Sequence, residues 1–244
     1  MTNNKILTAK RFIERLKTYQ SPTHRESIQR YFKTPSAGEQ DQFIGVRMGQ
    51  VGLLIKEFSG MTPNEIEKLL ESKIHEARAG ACGIMDKQAR SKKTSPERRK
   101  ELYDLYLRRH DRINNWDLVD ACATHVVGGY LADKPRKVLY KLARSKNMWE
   151  RRTSIVSTAY LIRQSDLDDT FKIAEMLLSD TEDLVHKATG WMLRFAGDKD
   201  RPRLLKFLDR HAADMPRVAL RYSLEHLDQK ERAHYLGLKK QSKQ

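Results

Sequence analysis

The sequence predicts an all-α protein, an α-solenoid in which antiparallel helix pairs stack into a superhelix. Apolar residues recur at the 3.6-residue spacing of amphipathic helices along most of the 244 residues, and the alternation typical of β-strands is nearly absent. Hydrophobic residues make up 39% of the chain and charged residues 32%. This composition suits a thin layer of helices that each keep one face in water. No interdomain linker is visible, so we expect a single helical-repeat domain over residues 1–244.

Six segments in the first half of the chain have helical periodicity. They are Ile6–Thr18, a helix within Ser21–Glu39, Phe43–Phe58, the helix that follows Thr62, Ser72–Lys87 and Pro96–His110. The helix after Thr62 has a strong start signal, because Thr62 can cap it and Pro63 suits its first turn. Glu65 can complete a capping box with Thr62. The buried side of this helix is expected to carry Ile66, Leu69 and Leu70.

The second half of the chain continues with helices joined by short connections rich in Gly, Pro or Asp. They are Asn115–Tyr130, Pro135–Arg144, Trp149–Gln164, Leu167–Leu178, Thr181–Phe195, Arg201–His211, Met215–His226 and Gln229–Leu238. Helices of this length with short connections are typical of antiparallel pairs in a solenoid. No strict repeat is visible, so the pairs have diverged in sequence.

The charge of the chain indicates a polyanionic partner. Lys and Arg number 47 against 32 Asp and Glu, which gives a formal charge of +15 spread along the whole chain. Nucleic acid is the leading explanation, and we expect a concave basic face to hold it. An anionic membrane is the second explanation, but no lipidation signal or basic helix with a bulky apolar side supports it. A role in solubility is the third.

The cysteine content and the start of the chain point to a reducing compartment. Cys82 and Cys122 are the only cysteines and define no disulfide framework, and both are expected to be small core residues. The opening MTNNKILTAK contains no apolar run of a secretion signal, and no segment approaches membrane length. We therefore expect a cytoplasmic protein.

Metal, nucleotide and serine-hydrolase chemistry have no complete motif in the chain. The stretch His75–Ala79, HEARA, begins like a zinc-protease motif, but Ala79 stands where the second His is required. The eight His and two Cys show no metal-ligand spacing. Glycine-rich phosphate loops and nucleophile elbows are also absent. We expect neither a metal nor a cofactor.

The stretch NNWDLVD, residues 114–120, places Trp116 and Asp120 one helical turn apart. Both fall outside the apolar stripe of their helix, which consists of Leu118, Val119, Cys122 and Val126. In one interpretation the Trp packs at an interface with a neighbouring helix and the Asp is an ordinary surface charge. In the other, the pair is a half-exposed aromatic platform beside a carboxylate, able to hold a cation or a sugar face. The residues alone leave both interpretations open.

The helix Trp149–Gln164 has the opposite anomaly, because Arg152 points into its broad apolar arc. A buried arginine requires a partner. The partner can be an acidic residue on a neighbouring helix, Asp120 among the candidates, which makes Arg152 a structural ion pair. It can equally be a phosphate group held by the guanidinium fork at the concave wall of the solenoid.

The stretch DLVHKATGWMLRFAG, residues 183–197, places Trp191 at the edge of another apolar stripe. A tryptophan at such a position can simply be core. Lys187 and Arg194 flank it, however, and aromatic and basic residues interleaved on one face suit nucleic acid. Gly190, just before the Trp, lets another backbone or a ligand come close.

The stretches NWDLVD, WERR and KATGWMLR occur in this order in a basic, all-helical chain. Together they resemble the AlkD-like DNA alkylation repair glycosylases, a family of HEAT-like helical repeats, and the resemblance runs over most of the chain. FIGVR at residues 43–47, HEAR at residues 75–78 and MPRVALRYSLE at residues 215–225 support it.

The resemblance implies a monofunctional DNA glycosylase that excises cationic N3- and N7-alkylated purines from duplex DNA in base excision repair. Members of the family hold the duplex in the concave face and do not flip the lesion into a pocket. A monomer at the bacterial nucleoid is implied as well. The alternative is a non-catalytic helical-repeat protein that binds damaged or branched DNA.

The resemblance also implies roles for individual residues. The active-site Trp and Asp of the family match Trp116 and Asp120, and its DNA-binding arginine matches Arg152. Trp191 matches the second aromatic. The remaining expected DNA contacts are Arg194, Lys187 and, near the N-terminus, Tyr31.

Overall fold

The computed structural model describes residues 7–32 and 41–238, without the side chains of Gln29 and Tyr31. Within these ranges every regular element is helical, apart from a parallel bridge between Gln42 and Ile74. The predicted all-α helical-repeat fold is confirmed. The chain packs as two compact units, Met1–Tyr130 and Leu131–Gln244, here called unit 1 and unit 2. The single domain and the concave basic face stay predictions.

Unit 1 is built around one central helix. Its helices are α1 (Ala9–Lys17), α2 (Pro22–Tyr31), α3 (Met48–Glu57), α4 (Pro63–Leu70), α5 (His75–Arg90), α6 (Pro96–Arg108) and α7 (Trp116–Cys122). Helix α5 packs against α3, α4 and α7 and is buried along most of its length. Small residues allow this, since a Cβ on Gly80 would lie 2.3 Å from the Phe12 ring. The amphipathic helices of unit 1 therefore surround a nearly all-buried one.

The sequence expectation is wrong at the start of α3. The predicted helix Phe43–Phe58 begins only at Met48, and residues 41–47, here called the extended segment, belong to no helix. The buried Glu76 carboxylate holds this segment by accepting the backbone N–H groups of residues 44–46, at 2.8 Å for Gly45. Gly45 has φ of +81°, which side chains other than glycine rarely adopt. A long-range contact has thus overridden helical periodicity.

Two further expectations about helix ends need correction. The side chain of Thr62 makes no capping hydrogen bond to α4. Glu65 instead accepts from the backbone N–H of Ala9 at 2.8 Å, which ties α4 to the start of α1, so no capping box forms. The predicted helix Asn115–Tyr130 is α-helical only to Cys122. It continues as a π-helical turn over Ala123–Gly128 and ends in α8 (Gly129–Leu131).

Unit 2 consists of helices whose bounds lie within a few residues of the predicted ones. They are α9 (Lys137–Ala143), α10 (Met148–Arg163), α11 (Asp168–Leu177), α12 (Asp183–Lys199), α13 (Arg201–His211), α14 (Arg217–Ser223) and α15 (Gln229–Gly237). Helix α12 is the centre of this unit and packs against α10 and α14. Gly190 permits the contact with α14, because a Cβ there would lie 2.3 Å from the carbonyl oxygen of Ala219.

No helix in the described ranges is both long and apolar enough to cross a membrane.

We expect Gly190→Ala to destabilise unit 2, because the added methyl group meets backbone and Tyr222 Cβ, which cannot retreat without moving α14. Overpacking of this kind costs about 1–3 kcal/mol. The measurement is the free energy of unfolding in a denaturant titration.

Gly52→Ala is the matched control, since Gly52 lies within α3 and a Cβ there meets nothing within 4 Å. The control should gain about 0.5–1 kcal/mol from helix propensity. Equal effects in the two variants would contradict the close packing of α12 on α14.

Candidate active site

Helix α7 presents Trp116 and Asp120 outside the core. Asn115 caps the helix, since its side-chain oxygen accepts from the backbone N–H of Trp116 at 2.8 Å. Leu118, Val119, Cys122 and Val126 are buried, as their spacing predicts. Trp116 and Asp120 are both half-buried. The α7 helix therefore turns one face to the core and leaves an aromatic ring and a carboxylate one turn apart on another.

Trp116 belongs to an aromatic cluster of four rings. The indole stacks on Phe32, with 5.6 Å between ring centroids and 14° between planes. Phe32 also contacts Phe43 at 4.9 Å and His75 at 4.8 Å, and Phe43 lies 4.6 Å from His75. These rings line a cavity of about 530 Å³, with Arg47 among its further lining residues. The Trp116 ring is thus supported by elements far away in sequence.

Behind the aromatic cluster lies a buried ionic cluster of His75, Asp41, Asp117 and Arg78. The two ring nitrogens of His75 face carboxylates, Nδ1 at 3.0 Å from Asp41 and Nε2 at 2.7 Å from Asp117. Arg78 also ion-pairs with Asp41 and donates to the side chain of Asn114 at 2.9 Å. His75 and Arg78 come from the first turn of α5, whereas Asn114 and Asp117 flank Trp116. The start of α5 is therefore bonded directly to the start of α7.

The ionic cluster favours charged forms. Burial by itself would lower the pKa of His75, but hydrogen bonds and charges from Asp117 and Asp41 outweigh it and raise that pKa from 6.5 to about 9. Burial would likewise raise the pKa of Asp41, yet His75 and Arg78 together hold it below its ordinary 3.8. At neutral pH the cluster therefore consists of ionised groups that neutralise one another.

In unit 2 the residues expected to contact DNA lie on α10 and α12. Trp191 is half-buried and packs edge-on against Phe195, with 5.5 Å between ring centroids. Arg194 ion-pairs with Glu225, and its guanidinium lies 5.7 Å from the centre of the Phe195 ring. Lys187 is half-buried one turn before Trp191. The interleaving of aromatic and basic side chains on α12 is therefore present in three dimensions.

Arg152 is buried, with 5% of its surface exposed, and donates to the backbone carbonyl of Leu184 in the first turn of α12. This contact links α10 to α12. The preceding residue, Arg151, ion-pairs with Asp180 at 2.5 Å. One partner of Arg152 is thus a carbonyl oxygen, and the carboxylate and the phosphate that the sequence left open both stay predictions.

The expected site residues divide between the two units. Unit 1 brings Trp116 and Asp120 together, and unit 2 brings Lys187, Trp191 and Arg194 onto one helix. A common site for both sets stays a prediction. The side chain of Tyr31 lies outside the described residues.

The ionic cluster was not predicted from the sequence. The signal for part of it was present, since HEAR places His75 and Arg78 three residues apart, on one face of a helix otherwise rich in Ala and Gly. Polar residues on the buried side of such a helix indicate partners within the fold. Asp117, which directly follows Trp116 in the sequence, was a candidate for one of these partners. Asp41 carried no local signal, because it pairs with residues more than thirty positions away.

The two cysteine thiols are enclosed in the core. Cys82 and Cys122 are fully buried, and burial holds the pKa of the Cys122 thiol well above its ordinary value. They are core residues, as expected. Within residues 7–32 and 41–238, no group of three or more His, Cys, Asp or Glu side chains has a metal-binding arrangement.

Comparison with known proteins gives the family. A model of the DNA alkylation repair enzyme family matches residues 12–227. A solved structure of a predicted DNA alkylation repair enzyme from Enterococcus faecalis superposes with a TM-score of 0.67 over 86% of this chain and 97% of that one. At 18% identity this second likeness shows the shared fold alone. A search of the curated proteins found no match. Because the family model spans most of the sequence, the chain belongs to the DNA alkylation repair enzyme family.

Proposed function

We propose that this chain is a monofunctional DNA glycosylase, which hydrolyses the N-glycosidic bond of cationic N3- and N7-alkylated purines in duplex DNA. The reaction would begin base excision repair. The observation that carries the proposal is the pairing of Trp116 with Asp120 on the half-buried face of α7, in a chain of a family that repairs alkylated DNA.

Asp120 is the proposed catalytic carboxylate. An alkylated purine already carries positive charge, so it is a good leaving group and needs no strong general acid. The barrier lies in forming an oxocarbenium-like sugar, as in other glycoside cleavage. A carboxylate close to the anomeric carbon stabilises that developing charge. Asp120 would supply this charge and orient the attacking water.

The aromatic side chains are proposed to line the lesion. The face of an indole ring attracts positive charge, which both the alkylated base and the oxocarbenium-like sugar carry. Trp116 is held by Phe32, so its ring is preorganised before DNA arrives. Trp191 would act from unit 2. Because the leaving group is already activated, we propose that the lesion reacts without being flipped into a pocket.

Basic residues are proposed to hold the DNA backbone, with the protein acting as a monomer. Arg152, Lys187 and Arg194 are the expected phosphate contacts in unit 2, and Tyr31 in unit 1. Such contacts fix the register of the duplex but carry no sequence information. The formal charge of +15 supports the assignment. The guanidinium of Arg152 is held by the Leu184 carbonyl, which would restrict the direction from which it meets a phosphate group.

We expect Asp120→Asn to abolish most base release while leaving DNA binding nearly intact. The substitution keeps the side-chain volume and removes the charge that stabilises the transition state, so single-turnover release of 7-methylguanine from a duplex oligonucleotide should fall about 100-fold or more. Asp104→Asn is the matched control, because Asp104 is an exposed carboxylate on α6, paired with Lys100 at 2.5 Å. The control should release base at the natural rate.

Two outcomes of this experiment would contradict the proposal. Unchanged release by Asp120→Asn would remove Asp120 from the chemistry. No release by the natural protein, together with salt-sensitive duplex binding, would favour the non-catalytic DNA binder.

We expect Arg152→Ala to weaken binding to undamaged duplex and to make it less dependent on salt. The loss of one phosphate contact should reduce the slope of log K against log[salt] by about 1. Arg152→Lys keeps the positive charge but loses the planar guanidinium group. This variant should therefore keep the slope of log K against log[salt] and still bind DNA less tightly. Arg201→Ala is the control, since Arg201 is paired with Glu231 at 2.5 Å on the surface of unit 2. A slope unaltered in Arg152→Ala, in protein whose melting temperature shows it folded, would exclude the phosphate contact.

A further inference from the structure

The position of His75 in the ionic cluster favours a doubly protonated ring. A neutral imidazole donates through one nitrogen only, and an ionised carboxylate only accepts. Both ring nitrogens of His75 face carboxylate oxygens, at 3.0 Å for Asp41 and 2.7 Å for Asp117. Only the imidazolium can donate to both. His75 is 2% exposed, so its ring is largely shielded from bulk water.

The charges of the cluster balance only while His75 is protonated. Asp41 and Asp117 contribute two negative charges, and His75 and Arg78 two positive charges. Deprotonation of His75 would leave one buried carboxylate uncompensated, which is costly in a site this dry. The other titratable group of the first turn of α5, Glu76, is directed to the backbone of residues 44–46. The strength of the contact between His75 and Asp117 therefore depends on whether the His75 ring is protonated.

The His75 ring is connected to Trp116 through two neighbouring residues, Asp117 and Phe32. Asp117 immediately follows Trp116 in the first turn of α7. Phe32, which stacks on the indole at 5.6 Å, lies 4.8 Å from the His75 ring. Arg78 adds a third link through Asn114, two residues before Trp116. Asp120 follows one turn later on the same helix, so whatever holds the start of α7 also places Asp120.

We propose that His75, as an imidazolium bonded to Asp117, is a positioning residue that fixes the first turn of α7 and thereby the orientation of Trp116 and Asp120. The effect on base release rests on the glycosylase function proposed above. The positioning of Trp116 does not, because it can be measured without DNA.

The pH dependence follows from the groups that face His75. They are Asp41 from the extended segment, Asp117 from α7 and Arg78 from α5, while His24 and Arg47 line the same cavity. The pKa of His75 rises from 6.5 in the unfolded chain to about 9 in the fold. A raised pKa means that the stabilisation is complete below pH 6.5 and is lost as the pH rises through about 9. Positioning should therefore fail on the alkaline side.

The test is ¹⁹F NMR of the whole protein labelled with 5-fluorotryptophan. The chain contains three Trp, and Trp116→Phe assigns the signal of interest. In the natural protein we expect the Trp116 signal to shift with a midpoint near pH 9, where His75 titrates. The Trp149 and Trp191 signals, from unit 2, should not follow it.

Two variants decide the outcome. His75→Gln should displace the Trp116 signal already at pH 7 and abolish its titration. Asp117→Asn keeps a hydrogen-bond acceptor but removes one of the two carboxylates, so the midpoint should move below that of the natural protein. This second variant keeps the test decisive if His75→Gln does not fold. His226→Gln is the control, since His226 pairs with Asp198 at 2.8 Å on the surface of unit 2 and should leave the Trp116 signal unchanged.

The activity readout separates positioning from a general loss of structure. In folded His75→Gln, kcat for base release should fall at least tenfold with little change in KM, and the alkaline limb of the natural pH profile should disappear. An unmoved Trp116 signal in folded His75→Gln, or an unchanged midpoint in Asp117→Asn, would overturn the proposal. If the natural protein released no base, the NMR result would still stand and only the glycosylase function would fall.

Discussion

The ion pair between His75 and Asp117 is the contact on which unit 1 depends. It joins the first turn of the central helix α5 to the first turn of α7, and Arg78 repeats the link through Asn114. Asp41 completes the cluster from the extended segment before α3. A buried charge pair is a weak source of net stability, because desolvation offsets much of its attraction. Its value here is geometric, since two carboxylates and two cations fix one another's positions.

Unit 2 uses arginines for the same purpose. Arg151 and Arg152 lie near the start of α10. Arg151 pairs with Asp180, just before α12, and Arg152 donates to the Leu184 carbonyl in the first turn of α12. A guanidinium can bridge such a gap because it presents several donors in a fixed plane. Where α12 meets α14, by contrast, Gly190 removes the side chain altogether. The unit is thus held by long polar side chains at one end of α12 and by close backbone packing further along it.

The cationic side chains of this protein have two different roles, which its net charge does not distinguish. Many arginines are bound to carboxylates at the surface, as in the pairs Arg108–Glu67, Arg201–Glu231 and Arg203–Asp168. Exposed pairs of this kind contribute little to stability, so their main effect is to fix side chains and cancel charge locally. The formal net charge of +15 that remains attracts a polyanion from a distance. Long-range attraction and local structure therefore draw on different members of the same residue class.

Short-range periodicity in the sequence accounts for the fold class, most helix positions in unit 2 and the buried stripe of α7. The spacing of Trp116 and Asp120 likewise removes both residues from that stripe. Long-range contacts instead shape the extended segment before α3, where Glu76 accepts from three backbone N–H groups. They also form the ionic cluster, since Asp41 and Asp117 reach His75 across 34 and 42 residues. A buried charge is fixed by partners brought close in space, which local spacing does not encode.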